Sequence, residues 1–136
     1  MRNVSRGWYL VPLVRRPAPP AGHLKPGAAE VLAGLVSQDP EERWAAARAA
    51  AEHPHTAAAL AAALRQETNA RIREAMFTSL VRIGTRDSIV TILPLLRSSD
   101  SALRTAALDA LRSSPIAAHE LLSELLSDIE VDVRIL

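Results

Sequence analysis

The sequence predicts an all-α solenoid, a stack of antiparallel helix pairs with a period of 30 to 31 residues. Three columns carry that expectation. An arginine recurs as Arg43, Arg73, Arg104 and Arg134, and four residues before each stands a polar helix starter: Asp39, Asn69, Asp100 and Glu130. Helix breakers recur eleven residues after the first three arginines, as Pro54, Gly84 and Pro115. Leucines recur nine residues before the last three, as Leu64, Leu95 and Leu125. A fixed period of this size marks a stack of similar supersecondary units. The 25 alanines among 136 residues favour helix and close helix packing.

Residues 1–25 stand outside the repeat. Trp8 to Val14 is β-branched and aromatic enough to be extended. Pro17, Pro19 and Pro20 then forbid helix and favour a polyproline-like course. This stretch reads as a basic, proline-rich arm or cap. It either covers the first apolar end of the stack or serves as a docking peptide.

Residues 26–136 read as the repeat array, with the last repeat incomplete. Pro26 suits a first helical turn, ahead of an apolar stripe of Val31, Leu32, Leu35 and Val36. This helix is the second half of an incomplete first repeat. Asp39-Pro40-Glu41-Glu42 starts the next helix, with Asp39 as cap and the glutamates complementing the helix dipole. It runs to about Glu52 and breaks at His53-Pro54, and a partner helix follows to about Gln66. Asn69 opens a helix that ends at Gly84, a natural left-handed terminus. Asp87 opens its partner, expected to reach about Arg97. Asp100 opens a helix to about Ser113, and Pro115 its partner, expected to end near Ser127. Glu130 then opens another first helix, and Leu136 lies only a few residues into it. An isolated turn is not stable in water. The expectation is a longer natural chain, or an end covered by Leu121, Leu122, Leu125 and Leu126 or by another molecule.

Asp100–Leu111 and Asn69–Gly84 resemble HEAT repeats, of the short bacterial kind also found in phycobilin lyases. The resemblance covers about residues 27–136. It implies a right-handed helical stack that binds other proteins. The first repeat departs from the pattern, with Glu42 where an apolar residue is usual. In such stacks the recurring arginine serves structure, its planar fork bonding a carboxylate or carbonyl at the turn between repeats. Asp39, Arg43, Asn69, Arg73, Asp100, Arg104, Glu130 and Arg134 therefore form the expected structural ladder.

The chemistry-bearing residues point away from catalysis. Without cysteine there are no disulfides or thiolate metal sites. His53 and His55 are the only close histidine pair, and they lie in a turn without the further ligands zinc needs. The five glycines are scattered, so no phosphate loop forms, and no Gly-x-Ser-x-Gly elbow is present. The expectation is a protein without enzymatic activity, metal or cofactor. No segment has the roughly 20 consecutive apolar residues of a membrane helix, and a cytoplasmic location follows as the default.

Net charge is +1 but uneven: +5 over residues 1–25, zero over 26–115 and −4 over 116–136. The basic head and acidic tail suit a head-to-tail contact or an acidic partner for the head, and the uncovered C-terminal end offers a contact between copies. The near-neutral body argues against nucleic acid.

Binding candidates come from outward positions. Trp44 follows the first repeat arginine, where later repeats have Glu74 and Thr105, and Arg48 one turn on can stack on it. Trp44 is either a contact residue or folded down on the stack. The second helices are expected to line a concave surface carrying Ala63, Gln66, Val90, Arg97, Glu120 and Glu124. It is small and apolar at one end, acidic at the other, and suited to a partner helix or extended peptide. The sequence thus describes a protein-interaction scaffold or adaptor. The rivals are an accessory subunit of a bilin-lyase-type or other modifying enzyme, and a HEAT-like nucleic-acid-binding protein.

Overall fold

Each first helix is opened by the same device. Asp39, Asn69 and Asp100 all adopt extended backbone, and each side chain accepts from the N–H two residues on, at 2.9, 3.0 and 2.9 Å. This satisfies N–H groups that have no partner inside a helix. The computed structural model describes residues 24–134, and the side chains of Glu124, Leu125 and 128–134 fall outside that description, as does the expected arm over residues 1–23.

The helices are α1 (Ala28–Leu35), α2 (Pro40–Ala49), α3 (Ala57–Gln66), α4 (Ala70–Ile83), α5 (Arg86–Val90), α6 (Ser101–Arg112) and α7 (Pro115–Arg134). Short 3-10 turns at Ala50–Glu52, Pro54–Thr56 and Leu93–Arg97 join them. The first helices α2, α4 and α6 pack in series as one layer, and α1, α3, α5 and α7 form the other. This is an all-α stack, with no strand among the described residues. Its core lies between the layers, where Leu60, Leu64, Ile72, Met76, Leu80, Ile89, Ile92 and Leu95 are essentially sealed from solvent.

Gly84 ends α4 in the left-handed region at φ 61°, where a Cβ is disfavoured. Gly34 has a different reason to lack a side chain. A Cβ there would lie 2.6 Å from the Ala46 Cβ of α2, and neither atom can rotate away. Gly34→Ala gains helix propensity, but the clash forces α1 off α2. The expected net loss is about 1–2 kcal/mol, read as a lower thermal midpoint by circular dichroism. An unchanged midpoint would mean that the two helices have room to separate.

Three sequence expectations need correction. The partner helix expected from Asp87 to Arg97 is shorter and starts earlier. Thr85 is its cap, accepting from the Ser88 N–H at 3.2 Å, and α5 ends at Val90. Pro94 has no N–H, and its ring opposes the carbonyl four residues back, so the chain continues as a 3-10 turn. Pro26 precedes α1 instead of entering its first turn, since Gly27 is the cap. Finally, α7 does not stop at Ser127, so no new helix opens at Glu130. Earlier starts read Gln-Asp, Thr-Asn and Ser-Asp, whereas this one reads Ile129-Glu130, which continues helix instead of capping it.

Candidate interaction surfaces

The arginine column builds the turns between repeats. Each of the three described arginines donates to the carbonyl six residues back: Arg43 to Ser37 (2.9 Å), Arg73 to Glu67 (2.5 Å) and Arg104 to Ser98 (2.6 Å). Two of them also reach forward to a carboxylate of the next repeat. Arg73 Nη2 meets Asp100 Oδ2 at 2.7 Å, which ties the cap of α6 to α4. Asn69 carries no charge, and Arg43 Nε instead meets Glu67 Oε2 at 2.7 Å.

Glu67 is the hub of this network. Its side chain is only 3% exposed, and its other oxygen accepts from the N–H groups of Thr68 and Asn69. Burial works against its charged form. The Arg43 guanidinium and the Asn69 and Thr68 N–H donors outweigh that cost and hold the carboxyl below its usual value. At Asp100 the Arg73 guanidinium leads, joined by the Leu103 and Ala102 N–H groups, and the carboxyl is again lowered. Nothing in the spacing of the arginines pointed to Glu67.

The sequence-selected binding residues do not converge on one site. Ala63 and Gln66 line a groove of about 580 Å³ between α1 and α3, with Leu35, Val36 and Ala59. Val36 is 73% exposed there. Val90 of α5, Arg97 of the following turn and Glu120 of α7 are exposed but lie outside this groove.

Trp44 and Arg48 belong to a separate crevice, between α2 and α4. Trp44 is half-buried against the core. Two guanidinium groups stack on its ring, Arg48 with its Cζ at 4.8 Å from the centroid and Arg71 at 4.1 Å. Arg71 was not singled out from the sequence. It lies 27 residues after Trp44, the same offset as Asp100 from Arg73, so that offset links one first helix to the start of the next. Arg71 Nη1 also meets Glu41 Oε1 at 3.0 Å, which fixes it over the ring.

The chemistry of the histidines is modest. His53 Nε2 lies 2.9 Å from the Pro26 carbonyl, and the His53 and His55 rings meet edge-on. No cluster of potential metal ligands occurs among the described residues. No helix of the described residues is long and apolar enough to cross a membrane.

The repeating caps, arginines and two-layer packing match a family model for HEAT repeats over residues 28–112. The chain belongs to the HEAT-repeat family. The match takes in α1 through α6, so the HEAT assignment covers both crevice-forming layers and leaves α7 outside. No curated protein and no solved structure matches the chain. HEAT repeats generally mediate protein–protein interaction, typically as non-catalytic scaffolds.

Proposed function

We infer that this chain is a non-catalytic scaffold or adaptor that holds a partner protein in the groove between α1 and α3. One observation carries the reading. Val36, Ala59, Ala62 and Ala63 present apolar surface in an open groove floored by the buried Leu35, while the adjacent ion pair of Arg43 and Glu67 is satisfied within the stack. Apolar surface without free charge suits the apolar stripe of a partner helix or extended peptide. Ala63 and Gln66 contact that partner. Val90, Arg97, Glu120 and Glu124 extend the surface along the second layer. Residues 1–25 act as a basic arm or cap on the array of residues 26–136. The protein works in the cytoplasm, and copies associate through the C-terminal end. The likeness of the repeats to the short bacterial kind of phycobilin lyases extends to their pattern and brings no modifying chemistry with it.

The test is affinity capture by the native chain and by a Val36→Glu, Ala63→Glu variant shown by circular dichroism to be folded. Both positions face the groove, and two carboxylates there oppose an apolar ligand. The expected result is a captured protein whose retention falls at least about tenfold, the factor that 1.4 kcal/mol supplies. Equal retention by the two chains overturns the groove as the binding surface.

A further inference from the structure

The crevice between α2 and α4 recurs one repeat later between α4 and α6, but there it is open. The two are built from the same positions of the repeat. Where the first has Trp44, Arg48 and Arg71, the second has Glu74, Thr78 and Ala102. An indole and two guanidinium groups are thus replaced by short side chains. The space grows from about 370 Å³ to about 600 Å³, and Phe77 and Val81 lie in its lining.

We propose that the wider crevice between α4 and α6 is occupied by Trp8 of the same chain, with Arg6 beside it, supplying there the indole and guanidinium that Trp44 and its arginines supply in the narrower crevice next door. Four observations support this occupant. The crevice is lined by Phe77, Val81, Ala102, Ala106 and Ala110, and it is built on the same helix positions as one whose wall includes a tryptophan. The segment Arg6-Gly7-Trp8-Tyr9 supplies an aromatic residue flanked by a guanidinium, and residues 1–23 carry four arginines and no acid.

The rim has carboxylates to receive them. Glu74 has no ion pair among the described residues, and Asp109 has only an exposed contact with Arg112 at 3.3 Å. The two arginines at the crevice are already directed elsewhere, Arg73 to Asp100 at 2.7 Å and Arg82 towards Glu52 at 3.9 Å.

The arm also starts from the right place. Lys25 Nζ lies 3.6 Å from Glu52 Oε2, and the other oxygen of Glu52 faces Arg82, which lines the crevice. A single glutamate therefore separates the root of the arm from the site. The 17 residues from Trp8 to Lys25 span about 50 Å at polyproline rise, ample for the return path.

The chain has no native cysteine, so spin labels on a Ser5→Cys, Thr105→Cys variant report one distance. The expected result for the full chain is a narrow distance distribution. It should broaden with Trp8→Ala, and with Glu74→Trp, Ala102→Arg, which installs the neighbouring plug in the open crevice. Glu74→Lys changes one exposed rim residue without threatening the fold, and should also broaden it. A tenfold excess of unlabelled chain should leave the narrow component unchanged. A broad distribution in the starting variant overturns the proposal. So does a narrow one that survives both the plug and Glu74→Lys, which places the arm elsewhere. Loss of the narrow component on dilution makes the occupant a second copy and overturns the assignment to the same chain.

Discussion

Glu67→Ala is expected to destabilise the protein by about 3 kcal/mol, the scale for removing one partner of a buried, hydrogen-bonded ion pair. Glu67 is nearly sealed and receives three hydrogen bonds, from Arg43 and from the Thr68 and Asn69 N–H groups. Truncation leaves those donors without their acceptor and frees Arg43 from its forward tie to the next repeat. Glu67→Gln should cost less, because an amide oxygen still accepts from the backbone donors, while the attraction to Arg43 is lost.

The two variants also differ from the native chain in acid. Both Glu67 and Asp100 have carboxyls lowered by folding, so the unfolded chain binds protons that the native chain does not. Their contribution is complete above the ordinary carboxylate range, about pH 4.5 for Glu67. It is lost as pH falls through the lower native values. Urea titrations at pH 7 and in steps below pH 5 should show the native chain losing stability faster than Glu67→Gln. Parallel acid limbs for the two would mean that Glu67 keeps its ordinary affinity for protons in the folded chain.

The fold was legible because its devices are local and periodic. Asp39, Asn69, Asp100 and Gly84 announce helix ends by side-chain chemistry that spacing alone displays. What escaped depends on departures from the period. Asn69 holds no charge, so the partner of Arg43 moves to Glu67, which occupies the position of Ser37 and Ser98 in the neighbouring repeats. Pro94 is plain in the sequence, yet it splits a helix that the leucine column alone keeps whole. At Glu130 the column of arginines points to a new helix start, but the register position holds a glutamate where the other repeats have Asp39, Asn69 and Asp100, and the helix runs on. The binding residues were the least legible. Trp44 stood out by type, but its relation to Arg71 exists only across helices, and the open crevice is defined by small side chains that carry no signal of their own.

Leu80→Ala is expected to lower stability by about 3 kcal/mol, within the range for cavity creation at a buried leucine. Leu80 is fully buried on α4, and α4 packs against α2, α3, α5 and α6. Because each unit of such a stack touches only its neighbours, its stability is a sum of repeat and interface contributions. A defect in α4 weakens the interfaces on both sides at once. Leu111 occupies the equivalent position in the next repeat and is 8% exposed, and nearby Leu108 is 42% exposed where its counterpart Phe77 is 5% exposed. Leu111→Ala should therefore cost less. Hydrogen exchange distinguishes the two more sharply than a melting curve does. Leu80→Ala should speed exchange together in α2, α3, α4 and α6, whereas Leu111→Ala should confine the change to α6 and α7. If Leu80→Ala opened only α4, the interfaces would not be transmitting stability, and the stack would behave as independent helix pairs.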